Sequence, residues 1–165
     1  RGYAAGGDTR VMVLDLAGAA KVRAPAVELQ TVDAAGFGEA LGTLHQLGPV
    51  KAAAERDRFA RSAVPGSYFV VREGEAPIAC GSVALDGSLA GVFGMVTATT
   101  HRARGLASAI VTALLDAARE RGVKTAYLQV EADNQPARRV YQKFGFTDCY
   151  AYWYRSASDV EENSR

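Results

Sequence analysis

From Ser67 onward the chain adopts an order of elements that few folds can accommodate. Three β-branched and apolar runs, "SYFVVREG", "APIACGSVALDG" and "LAGVFGMVTAT", are separated by Glu-Gly, Pro and Asp-Gly punctuation, the pattern of an antiparallel meander. Helix follows from about Arg104, with Leu106, Ala109, Ile110, Ala113, Leu114 and Ala117 recurring at helical spacing and Gly122 closing it. "TAYLQVEA" then reads as a strand, "QPARRVYQKFG" as a short helix ended by Gly145, and "TDCYAYWYR" as a last strand. A meander that passes into strand–helix alternation buries its apolar faces as a mixed α/β layer around one central sheet.

Upstream, "TRVMVLDL" over 9–16 predicts a strand, "AGAAKVRAPA" over 17–26 a linker, and "VELQTV" over 27–32 another strand. Helical patterns follow over 36–47 and 49–62, the second opened by Pro49 and carrying a solvated face of Lys, Glu, Asp and Arg. The 165 residues suffice for one domain with a real core. With 48% hydrophobic and 22% charged residues, disorder is expected only at the ends, including a flexible tail over 156–165. No run reaches the ~20 apolar residues of a membrane span. A net charge of +1 sets up no global field toward nucleic acid or anionic lipid, so neither is expected as a partner. Cys80 and Cys149 lack metal-ligand spacing and make no disulfide framework. Both are expected as reduced thiols packed as small apolar groups in a cytoplasmic setting, with no metal site.

"HRARGLASAI", residues 101–110, places His101, Arg102 and Arg104 directly before the long helix. The first amides of a helix lack intrahelical partners, and with the positive end of the dipole they bind phosphate. Gly105 would let backbone approach an anion, Ala107 keeps the next turn small, and the two arginines add charge. Neither Gly-x-Gly-x-x-Gly nor Gly-x-x-x-x-Gly-Lys-Ser/Thr follows any strand, so a dinucleotide or nucleoside triphosphate site is disfavoured.

A second cluster, "EADNQPARRVYQKFGF", puts Asn134 at a strand end, Ala137 and Tyr141 on the next helix, and Gly145-Phe146 at its exit. The two segments together resemble the GNAT superfamily of acyl-CoA-dependent N-acetyltransferases. Its Arg/Gln-x-x-Gly-x-Gly/Ala signature is met by Arg102, Gly105 and Ala107, and its Asn-x-x-Ala, Tyr and Gly-Phe pattern by Asn134, Ala137, Tyr141, Gly145 and Phe146. The likeness is specific over 67–155 and general over 27–62. It departs where the family often has Pro and this chain has Thr99, and where Ala107 replaces Gly; neither change removes a backbone donor.

The resemblance implies a mostly antiparallel, twisted sheet of six to seven strands, splayed between the fourth and fifth and flanked by four helices, over a domain spanning 27–155. It implies acetyl-CoA as co-substrate and no metal. Backbone groups of Met95, Val96 and Thr97 would hold the pantetheine arm, and the amides of Ala103, Arg104, Gly105, Leu106, Ala107 and Ser108 the diphosphate. Asn134, Ala137 and Arg138 would complete the coenzyme site. Tyr141, a phenol protonated at neutral pH, looks like the general acid for the departing thiolate, against the plain reading of a core aromatic. Glu131 is the nearest carboxylate to serve as base, through water, and reads equally as an exposed strand-end residue. His101 reads as a surface or phosphate-side residue.

The acceptor would be a small-molecule or peptide amine, in a pocket from 33–66 and 147–155 with Phe37, His45, Phe59 and the late tyrosines among its liners. Monomer and homodimer both stay open. The alternative is an acyl-CoA-binding GNAT-fold sensor or regulatory domain without turnover. "RGYAAGGDTRVMVLDL" repeats the grammar of "FGFTDCYAYWYR", so residues 1–16 are expected to be the tail of a preceding, similar half, the chain then being the C-terminal half of a tandem; a family-specific extra strand is the rival reading.

Overall fold

The computed structural model describes residues 3–157. In chain order the elements are β1 (Tyr3–Asp15), β2 (Gln30–Val32), α1 (Ala34–Leu44), α2 (Pro49–Ala60), β3 (Gly66–Glu73), β4 (Ala76–Asp86), β5 (Leu89–Thr97), a 3-10 turn (Thr99–His101), α3 (Leu106–Glu120), β6 (Thr125–Glu131), α4 (Gln135–Lys143) and β7 (Thr147–Ala157). All seven strands join one sheet in the order β2-β3-β4-β5-β6-β1-β7, antiparallel except for the β5–β6 pair. This is the mixed α/β, mostly antiparallel sheet with four helices that the sequence implies.

The meander forms where expected because each turn is local: Gly74 and Gly87 take positive φ between β3 and β4 and between β4 and β5. α3 buries Leu106, Ala109, Ile110, Val111, Leu114, Leu115 and Ala118. The buried stripe is therefore rotated away from Ala113 and Ala117, which the sequence pattern placed on it and which are half-buried. Valine and leucine bury more apolar area than alanine, and so decide which face meets the sheet. On the opposite face α1 covers β3–β5 with Phe37, Ala40 and Leu41 against Val70 and Cys80. α2 buries no residue and carries a bidentate Arg58–Glu55 pair at 2.6 and 3.0 Å, the solvated helix its charge pattern predicts.

The strand at 9–16 extends over Tyr3–Asp15 and lies inside the sheet, paired with β6 from Thr9 to Asp15 and with β7 from Tyr3 to Val13. The sequence set this strand apart from the unit at 27–155; in the fold Val11, Met12, Leu14 and Leu16 are all buried within it. From β1 the chain crosses the α3 side of the sheet as an irregular strap, residues 17–29, to reach β2 at the far edge. Ala19, Val22, Val27 and Leu29 of the strap pack on the core. Cys80 is buried as expected, whereas Cys149 is exposed. Val11 pairs with Tyr150 and Met12 with Asp148, so Cys149 sits in a register shift of an edge strand and is turned out of the packing.

Candidate active site

The site begins with a bulge. β5 and β6 run in parallel register only from Leu89–Val92 against Thr125–Leu128, after which β6 pairs with β1 alone and the two strands part. The break coincides with a register shift between β4 and β5, from Cys80↔Val96 to Ser82↔Phe93. Gly94 makes it: its φ is +60°, and a Cβ there would lie 2.8 Å from Phe37 Cζ. Phe37, read from sequence as a pocket liner, is instead fully buried beneath this bulge, with Phe59 edge-on at 4.8 Å. Past the bulge Ala98 N–H donates to Ile78 O at 2.8 Å. Alternate strand residues present their peptide groups to opposite sides, so Met95 and Thr97 offer theirs to the gap beside β6, while Val96 pairs with Cys80 on β4.

At the end of β5 the 3-10 turn leads through extended Arg102 into Ala103 at φ +61° and Gly105 at φ +78°, the N-cap of α3. The amides of Ala103 through Ser108 bond to no backbone or side-chain acceptor among the described residues, and Ala109 N–H is the first to bond, to Gly105 O at 3.0 Å. Unbonded N–H groups at a helix mouth are the kind of donors that bind anions. The Cβ position of Gly105 is taken by the strap, with Pro25 Cγ 2.5 Å away. The glycine is thus required by its φ and by Pro25. Arg102 and Arg104 are exposed, and Arg104 lies 3.7 Å from Glu73.

On α4, Asn134 is the N-cap, its Oδ1 accepting from Ala137 N–H at 3.2 Å, so the Asn-x-x-Ala spacing closes a helix mouth. Arg138 Nη2 bonds Asp148 Oδ2 at 2.9 Å and ties α4 to β7; Arg138 Nη1 is buried without a partner among the described residues. Tyr141 is the buried residue of α4, 7% exposed, its ring edge-on to Phe146 at 6.0 Å. Burial pushes its phenol up to about 12. Glu131 ends β6, exposed, in register with Thr9.

A model of the acetyltransferase (GNAT) family matches residues 39–146. The chain belongs to the GNAT acetyltransferase family. Among curated relatives this GNAT chain is 36% identical over 85 residues to the mycothiol acetyltransferase of Clavibacter sepedonicus, covering 51% of the chain and 28% of that protein. It is 28% identical over 89 residues to the uncharacterized N-acetyltransferase YobR of Bacillus subtilis, covering 54% of the chain and 36% of that protein. The matched segments thus span about a third of those relatives. Among solved structures, a tandem GNAT protein from the clavulanic acid biosynthesis pathway shares the fold, with a TM-score of 0.71 and 19% identity over 90% of this chain and 52% of that one.

The face of the GNAT sheet beside the gap carries Phe93 and Tyr127, edge-on at 5.8 Å. Next to them Tyr152 on β7 donates from its hydroxyl to Gln129 Oε1 on β6 at 2.7 Å, across β1, and Tyr154 packs on Tyr152 at 5.6 Å. Of the pocket liners read from sequence, the late tyrosines lie on this shelf, while His45 caps α1, exposed. Sequence reasoning missed Gly94, Phe93, Pro25 and Glu73. An isolated glycine inside a strand pattern was the available signal for the bulge; nothing local marks the other three. Among the described residues no group of three His, Cys, Asp or Glu side chains gathers to hold a metal ion, and no helix is long and apolar enough to cross a membrane.

Proposed function

We propose that this chain is an N-acetyltransferase that moves an acetyl group from acetyl-CoA to a primary amine by direct attack. The reading rests on the row of unbonded amides from Ala103 to Ser108, set beyond the end of β5 where it parts from β6. The donor set suits a diphosphate: backbone N–H groups, a helix dipole and two exposed arginines. Bound there, acetyl-CoA supplies a thioester open to an amine.

The chain's own groups do the rest. The peptide groups of Met95 and Thr97, with Val96 between them, align the pantetheine arm as β6 would have aligned as a strand. A fixed N–H in that gap stabilises the charge that develops on the thioester oxygen more than it stabilises the ground state. As the amine nitrogen bonds to the carbonyl carbon and the C–S bond breaks, Tyr141 gives its proton to the sulfur. Glu131, through water, takes the proton the amine loses. Asn134, Ala137 and Arg138 hold the mouth of α4 against the coenzyme. The acceptor, a small-molecule or peptide amine, lies on the shelf of Phe93, Tyr127 and Tyr152.

Thiol release from acetyl-CoA with a panel of amines tests this reading. Tyr141→Phe should lower kcat by about 10²-fold or more while acetyl-CoA affinity is kept. Because the phenol is held at about 12, the native enzyme keeps its acid protonated, and loss of activity through this group begins only as pH approaches that value. Unchanged turnover of Tyr141→Phe at every pH would refute the assignment, whereas an alkaline limb near pH 8 that vanishes in that variant would refute the raised pKa. The packing of Tyr141 against Phe146 in the core favours the second reading, a sensor that binds acyl-CoA without turnover. Tight binding with no thiol release across the panel would select it.

A further inference from the structure

The turn that aims the amides is not self-supporting. Ala103 has a side chain yet sits at φ +61°, in a region that L residues seldom occupy and that persists only when neighbouring contacts hold it. One carboxylate reaches the residues on both sides of it. Glu73 Oε2 lies 3.2 Å from His101 Nε2, and Glu73 Oε1 lies 3.7 Å from Arg104 Nη1, so its two oxygens engage the residues on either side of Arg102-Ala103. His101 is largely buried, its side chain 14% exposed, and its other ring nitrogen is 2.8 Å from Thr100 Oγ1. One neutral tautomer satisfies both contacts: the Thr100 hydroxyl donates to Nδ1 and Nε2–H donates to Glu73.

Glu73 is itself well placed to anchor. It is the last residue of β3, paired with Ala76 across the tight turn at Gly74. Its neighbour Arg72 bonds Gln30 Oε1 at 3.2 Å and Glu75 O at 2.7 Å, which fastens that turn to β2 and to itself. A carboxylate beside an anion site would weaken binding by charge alone. Its presence there is explained by geometry.

We propose that Glu73 is a positioning residue for the diphosphate loop: it clamps His101 and Arg104, and so holds Ala103 in the turn that directs the amides of Ala103 to Ser108 at the ligand. The proposal rests on the reading that acetyl-CoA binds at this loop. Titration calorimetry with acetyl-CoA and with acetylpantetheine, which lacks the diphosphate and the 3′-phosphoadenosine it carries, tests the two separately, with 3′,5′-ADP as the control for the nucleotide alone. The wild type should bind acetyl-CoA far more tightly; if the diphosphate adds nothing, the reading of the site fails. Glu73→Ala should lose about tenfold of the acetyl-CoA affinity with acetylpantetheine unchanged. Glu73→Gln, which keeps an acceptor for Nε2–H, should stay within about threefold of wild type. If the wild type gains from the diphosphate and Glu73→Ala keeps that gain, the clamp is overturned. Equal losses in both variants would overturn the His101 arm of the clamp, since the pair with Arg104 and not the acceptor would then be responsible. Should Glu73→Ala fold poorly, Glu73→Ser, too short to reach His101 or Arg104, takes its place with the same expected loss of about tenfold and the same refuting result.

Discussion

Gly105 answers to two constraints that a single substitution can separate. Its φ of +78° disfavours any side chain, and Pro25 occupies the space a Cβ would need. Gly105→Ala should therefore cost about 1–2 kcal/mol from backbone conformation and more from the clash. Adding Pro25→Gly to Gly105→Ala should return the steric part alone, so a double-mutant cycle by urea denaturation should show coupling of about 0.5 kcal/mol or more. Independent, additive losses would mean that Pro25 yields freely. At this scale the site was partly legible. A glycine before an apolar helical run after two arginines signals a helix mouth, because capping depends on residues a few positions apart. Asn134 and Ala137 were marked by the family pattern, and the cap that joins them was not read from the sequence. Pro25 and Glu73 were not, because they meet the loop from 80 and 28 positions away, Pro25 at Gly105 and Glu73 at His101.

Among the elements β1 departs most from its expected place. The sequence set it apart from the domain over 27–155, yet β1 is flanked by β6 and β7 and buries side chains on both faces. Its alternation in "RVMVLD" is imperfect because Val11 and Met12 are both covered. Met12→Ala should cost about 2–5 kcal/mol in chemical denaturation, the range for a fully buried large side chain. Lys51→Ala on α2, a helix with no buried residue, should change stability by no more than about 0.5 kcal/mol. A small loss at Met12 would mean that β1 is dispensable to the sheet. In contrast, α3, β6 and α4 were legible nearly to the residue, each bounded by a positive-φ glycine or a cap that reports on its own neighbourhood.

For the whole molecule, burial of two weak acids ties stability to alkaline pH. Burial pushes the Cys80 thiol up to about 12 from an ordinary value of 9.0, against the pull of a Val96 backbone hydrogen bond, and the Tyr141 phenol to about 12 from 10.0. Between those ordinary values and about 12 the native chain keeps protons that the unfolded chain releases. Stability must then fall as pH rises through that window, by roughly 4 kcal/mol for Cys80 and roughly 3 kcal/mol for Tyr141 once pH exceeds both native values. Urea midpoints at pH 8 and 11 should differ less in a Cys80→Ala, Tyr141→Phe double variant than in the wild type; an equal difference would place both groups in water. The sequence by itself determined the kind and order of the elements from Ser67 onward and the two segments that mark the family, since periodicity, caps and turns are properties of adjacent residues. Only the tertiary structure decided that β1 enters between β6 and β7, that the strap lays Pro25 on Gly105, and that Phe37 sits under the Gly94 bulge. Those contacts join residues distant in the chain, and which of many apolar partners meet there depends on how the whole core closes, a choice no local pattern encodes.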